Sequence, residues 1–157
     1  MTSAISLRQP EDAERPGLVD LWEASWREAM PQIDFAARRD WFVAHVRALE
    51  AAGAVTTCAF DASGAMLGFL SIDPQTGYLD QIALAPDAKG GPAAKLLLAE
   101  ARRLSPAKIE LEVNQDNPRA MRFYEREGFR PIAEGANPRS GLKTWRLRWT
   151  GHDRDEI

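Results

Sequence analysis

The chain has 157 residues, 45% hydrophobic and 27% charged, with a net charge of −3. That length can bury one core, the composition is ordinary for a soluble globular protein, and there is no global basic field to attract nucleic acid. The lone cysteine, Cys58, excludes an intrachain disulfide, and two histidines with no Cys/His cluster argue against a structural zinc site.

The elements follow in chain order. Ala4–Arg8 predicts a short first strand before Pro10. From Glu11 to Met30, Leu18, Leu21, Trp22, Trp26 and Met30 recur at helical spacing, and Pro31 closes the run. Asp34 caps a second helix whose apolar face is Trp41, Phe42, His45, Val46 and Leu49, and which stops at Gly53. Ala54–Asp61 and Ala65–Ile72 predict two strands of a hairpin, joined by the turn Asp61-Ala62-Ser63-Gly64. Gly77–Leu84 predicts another strand, with Asp80 on the face of Tyr78, Ile82 and Leu84.

After Gly90 and Gly91, Pro92–Leu104 is strongly helical until Ser105-Pro106 breaks it. In Lys108–Val113, Ile109, Leu111 and Val113 alternate with Glu110 and Glu112, the mark of a strand. A short helix follows Asn117. Phe129–Ala133 and Leu142–Trp149 predict the last strands around a Gly/Pro/Asn-rich turn, before a charged tail over Gly151–Ile157. No apolar run reaches the roughly 18–20 residues needed to span a bilayer. The first residues, Met1-Thr2-Ser3-Ala4-Ile5, lack the basic and apolar regions of a signal peptide. No membrane partner and a cytoplasmic location are therefore expected.

Two stretches carry chemistry. In Asn117–Phe129, Asn117 suits an N-cap, Pro118 the first helical position and Gly128 a left-handed stop. Ala120 and Tyr124 share one face, and the small alanine leaves room beside the tyrosine ring. Arg119, Arg122 and Arg126 share another face, which any solvated helix can also show. In Pro86–Leu97, a strand, a glycine-rich turn and a helix start form an anion site, because unpaired amides and the helix dipole point at one place. An ordinary strand-to-helix turn has the same outline, and the stretch lacks both the nucleotide P-loop and the dinucleotide fingerprint.

The pattern N-x-x-A-x-x-x-Y-x-x-x-G-F over residues 117–129 resembles the acetyl-CoA binding core of the GNAT superfamily of acyl-CoA-dependent N-acyltransferases. The glycine turn is similar to that family's pyrophosphate motif, (Q/R)-x-x-G-x-(G/A), with Lys89 at the first position, Pro92 at the glycine and Ala94 at the last. Lysine is a mild departure. Proline removes one amide that would donate to the pyrophosphate, a loss of roughly 1.5–3 kcal/mol for a charge-assisted bond. The amides of Ala93, Ala94 and Lys95 remain, and Gly90 and Gly91 permit close approach.

The resemblance implies a GNAT-like α/β (mixed α+β) fold in one domain over residues 1–150. Its central sheet is mixed and mostly antiparallel, with about seven strands, a parallel pair splayed at the cofactor site and about four flanking helices. It implies direct transfer of an acetyl group from acetyl-CoA to a primary amine. Tyr124 would be general acid towards the CoA thiolate, Ile82, Ala83 and Leu84 would pair with the pantetheine arm, and Asn117 and Arg119 would lie near the cofactor. Asp80 is the first candidate for the base, with Glu112 its rival; either is also an ordinary strand carboxylate. Trp26 and Met30 would line the acceptor pocket, although tryptophans at helical spacing also read as core. His45 reads as a packed helix residue and Cys58 as a small buried hydrophobe.

A small-molecule amine is the expected acceptor, with a peptide or protein N-terminus or lysine as the alternative. A degenerate acyl-CoA-binding sensor is a different class, and a nucleotide-binding α/β domain a third. Trp145 and Trp149 leave room for a homodimer.

Overall fold

The computed structural model describes residues 4–151, so the N-terminal tripeptide and all of the expected charged tail except Gly151 lie outside the described residues. The described chain runs β1 (Ser6–Arg8), α1 (Arg15–Ala29), α2 (Arg39–Ala51), β2 (Val55–Phe60), β3 (Met66–Ile72), β4 (Leu79–Leu84), α3 (Ala93–Leu104), β5 (Lys108–Asn114), α4 (Pro118–Arg126), β6 (Arg130–Ala136) and β7 (Lys143–Thr150). The predicted order of strands and helices holds throughout. The first helix starts later than its apolar spacing suggests, because a 3-10 turn at Asp12–Glu14 precedes it. Asp34 does not cap α2; it precedes the 3-10 turn before that helix and accepts the Ala37 amide at 3.2 Å, because the extra turn separates it from the α2 start.

The strands divide into two antiparallel sheets, β1-β2-β3-β4 and β5-β7-β6. Among the described residues one parallel bridge, Tyr78 with Glu110, joins them, supported by the Glu110 amide donating to the Gly77 carbonyl at 2.9 Å. Gly77 permits this contact. Its φ is +79°, and a Cβ there would overlap the Lys108 carbonyl. Beyond the bridge β4 and β5 pair with each other no further among the described residues, so a fork opens between their C-terminal ends.

Apolar side chains fill both faces. On one, Leu70, Ile72, Leu79, Leu97, Leu98, Ile109, Leu111, Phe129 and Leu147 form a core beneath α3 and α4. On the other, Leu18, Trp22, Phe42, Val46, Cys58, Phe69 and Ala83 form a core beneath α1 and α2. Trp22 stacks on Phe42 with ring centroids 4.3 Å apart, and Phe42 meets Phe69 edge-on. Phe42 is fully buried, so truncation to alanine would cost about 3–5 kcal/mol. Among the described residues, no helix is long and apolar enough to cross a membrane.

β4 departs from simple alternation. Its register against β3 slips between Ser71–Gln81 and Ile72–Leu79, leaving Asp80 as the extra residue of a bulge. Leu79, Ile82 and Leu84 therefore join the α3/α4 core while Ala83 joins the α1/α2 core. Asp80 hydrogen-bonds to α2. The expectation that Asp80 shares a face with Ile82 and Leu84 is thus corrected, because one inserted residue reverses the phase of everything after it.

Candidate acyl-transfer site

The glycine turn ends in a helix start that offers free donors. Pro92 is the residue before α3, with φ −78° and ψ −12°, one position earlier than its expected place inside the helix. Its carbonyl accepts the Leu96 amide, while the amides of Ala93, Ala94 and Lys95 have no acceptor among the described residues. These orphan donors, with the positive end of the α3 dipole, make an anion cradle. Gly91 does not contribute its amide, which is bonded to the Ala88 carbonyl at 3.2 Å. Gly90 turns the loop with φ +86°, and a guanidinium nitrogen of Arg119 lies 3.5 Å from where a Cβ would stand on it. The N-terminus of α4 therefore overhangs the cradle.

Lys89 points elsewhere. Its ammonium donates to the Ser25 carbonyl at 3.1 Å and pairs with Glu28 at 2.9 Å, which ties the loop to the end of α1. Lys95 is exposed, with its ammonium 3.9 Å from Glu127. Asn117 caps α4 by accepting the Ala120 amide at 3.2 Å.

Tyr124 stands on the inward face of α4, edge-on to Phe123 and Phe129 at 5.3 and 5.5 Å. The residue is only 8% exposed, and burial pushes its phenol well above the usual tyrosine value. Its hydroxyl has no hydrogen-bond partner among the described residues, yet it is not among the enclosed unpartnered atoms. It is a protonated donor.

On the opposite face of the sheet, Asp80 Oδ1 receives His45 Nε2 at 2.7 Å and the Gln81 side-chain amide at 3.0 Å. The His45 ring stacks on Trp41 at 4.7 Å, and the Arg139 guanidinium lies 4.0 Å from the Trp41 ring centre. Across the fork, Glu112 accepts from Thr144 at 3.0 Å and pairs with Arg146 at 3.5 Å. Burial pushes the Tyr78 phenol up to about 12, aided by the Glu112 and Asp80 charges. Burial also works against the Glu110 charge, yet hydrogen bonds from Arg146 and Arg148 hold its carboxyl below the usual range.

Met30, at the end of α1, is buried, and its sulfur accepts the Asn114 side-chain amide at 3.1 Å, so α1 is joined to the tip of β5. Trp26 is half-buried and stacks on Phe35 at 5.8 Å. Ile82, Ala83 and Leu84 pair with β3 on one side and border the fork on the other. A surface hollow of about 410 Å³ between α1 and α2, lined by Pro16, Val19, Val43 and Arg47, holds none of these residues.

The cradle amides thus meet Arg119 at the start of α4, Tyr124 stands in the core beneath α3 and α4, and Asp80 lies on the α2 side of β4. Sequence spacing does not mark the contacts made by Trp41, Gln81, Arg139 and Arg146, since nothing local signals a meeting of α2, β4 and the turn before β7.

The model of the Acetyltransferase (GNAT) family matches residues 15–129. The peptidyl-lysine N-acetyltransferase YiaC of Escherichia coli is 25% identical, across 91% of this chain and 95% of its own length. The PaiA N-acetyltransferase of Thermoplasma acidophilum, solved with coenzyme A, superposes with a TM-score of 0.74 at 17% identity, covering 94% of this chain and 99% of that one. The spermidine N-acetyltransferase of Vibrio cholerae, solved with CoA and spermine, does so at 0.67 and 21% identity, covering 94% and 96%. The family match spans the glycine turn, the fork and Tyr124 together, and the chain belongs to the GNAT family of acetyltransferases, with acetyl-CoA as its co-substrate.

Proposed function

We propose that this acetyltransferase moves the acetyl group of acetyl-CoA directly to a primary amine of a small molecule, working as one domain over residues 1–150 in the cytoplasm. The observation that carries the reading is the position of two groups on opposite faces of the sheet. Asp80 lies on the α2 face and Tyr124 in the α3/α4 core, and the sheet between them is open at the β4–β5 fork. An amine approaching from one side and a thiolate leaving on the other each meet a group suited to their proton.

In this reading the Ala93, Ala94 and Lys95 amides and Arg119 hold the pyrophosphate, with Gly90 and Gly91 allowing close approach. Lys89 fixes the loop against α1. The free edge of Ile82, Ala83 and Leu84 pairs with the pantetheine arm, and Asn117 supports the α4 side of it. An amide of that edge polarises the thioester carbonyl. Tyr124 protonates the departing sulfur. Asp80 supplies the carboxylate that attracts the ammonium group and assists its deprotonation; Glu112 is already engaged by Arg146 and Thr144.

A small acceptor is favoured by the turn between β6 and β7. Leu142 packs against the α1/α2 core and Arg139 covers Trp41, which narrows the acceptor side against an extended chain. Met30 and Trp26 wall the other end. The alternative, a peptide lysine, is supported by the likeness to the peptidyl-lysine N-acetyltransferase of E. coli. The test is thiol release from acetyl-CoA across amines, amino acids and lysine peptides. Release with small amines is expected; release only with peptides selects the alternative, and acetyl-CoA binding without release from any acceptor leaves a sensor.

A further inference from the structure

We infer that His45 is the proton acceptor for the attacking amine, with Asp80 as its positioning residue; this deepens the proposed transfer reaction and rests on it. Imidazole is the side chain most often used as a general base, and its neutral ring offers a nitrogen lone pair to the ammonium proton. At 2.7 Å from a carboxylate oxygen, His45 Nε2 carries the hydrogen, so in the neutral ring the lone pair is on Nδ1. That nitrogen has no partner among the described residues, and the side chain is 27% exposed. In the proposed step the amine reaches this nitrogen from the exposed side of the ring, directly or through one water.

Asp80 is poorly placed to act alone, because its Oδ1 already accepts from both His45 and Gln81. Its bulge turns it towards α2, the element that carries His45. Trp41 stacks on the imidazole at 15° between planes and fixes the ring. Asp80 faces His45 directly and Arg139 lies against the Trp41 ring; Tyr78, with Arg146 over its ring, feels the charges of Asp80 and Glu112.

The step balances as follows. The ammonium group gives one proton to Nδ1, and the resulting imidazolium is paired with Asp80. The freed lone pair forms the N–C bond, and the C–S bond breaks with its electrons on sulfur. Tyr124 protonates sulfur and is replenished by the second amine proton, while His45 returns its own proton to solvent. The sum is an amide, free thiol and one released proton.

The parent chain and the variants H45Q, H45A and D80N are compared with an amine that supports thiol release in the parent; absence of any release in the parent defeats the transfer reading itself. H45Q is expected to lower kcat by about 10²-fold or more, within the usual range for acid–base groups, with the acetyl-CoA KM within about threefold. Added imidazole should restore part of the H45A rate, which a structural role would not allow. D80N should lower kcat less than H45Q, because the imidazole remains. A kcat for H45Q within about threefold of the parent, or a loss in H45A that imidazole does not restore, overturns the assignment.

Discussion

A guanidinium nitrogen of Arg119 lies 3.5 Å from the point where a Cβ would stand on Gly90. One residue belongs to α4 and the other to the turn before α3, so the two halves of the anion cradle meet here. The side chain that accompanies the free helix amides is this arginine. Lys89, at the family's Q/R position, is committed to Ser25 and Glu28.

Arg119→Ala should raise the acetyl-CoA KM about tenfold, as expected for one charge-assisted hydrogen bond near 1.5 kcal/mol, with kcat little changed. Steady-state kinetics and a binding titration with CoA check this together. Equal affinity in parent and variant would remove Arg119 from the cradle.

Pro92→Gly should act in the opposite sense. Glycine adds back one amide at the entry to α3, so acetyl-CoA should bind several-fold tighter, about 1 kcal/mol. The freer unfolded chain should lower stability by about 0.4–1 kcal/mol. Isothermal titration and thermal melting separate the two effects, and unchanged or weaker binding would show that the proline amide position does not face the phosphates.

Tyr124→Phe should lower kcat by about 10²-fold while leaving the acetyl-CoA KM within about threefold. Its hydroxyl bonds to nothing among the described residues, so melting should move little, within about 1 kcal/mol. A variant with parental turnover would exclude the tyrosine as acid.

Cys58 gives a prediction at alkaline pH. Burial raises its thiol from 9.0 to about 12. The folded chain therefore holds this proton where the unfolded chain has lost it. The associated stability is complete below pH 9 and is lost as pH rises towards 12. Urea midpoints measured across this window should fall less steeply in Cys58→Ala. In the native protein at pH 8 the thiol should resist alkylating reagents that label it at once in denaturant.

The legible parts of the site are the local ones. Asn117, Pro118, Gly128 and the glycines before α3 announce caps and turns, because capping is decided within one helical turn of the chain. Tyr124 was legible for the same reason, being four residues from Ala120 on one helix face. The face of Asp80 was not, since a bulge of one residue leaves alternation in the sequence intact while inverting it in space. The partners of Lys89 were equally hidden: Ser25 is 64 residues away.

Short-range spacing carries the order of elements, the family and the open start of α3, because caps, turns and the free backbone donors of a helix start are local. The meetings of His45 with Asp80 across 35 residues and of Met30 with Asn114 across 84 come from the packing of distant elements. Such pairs form where α1 and α2 pack over the first sheet and reach the tip of the second. Their geometry comes from core packing and strand register, which no local pattern encodes.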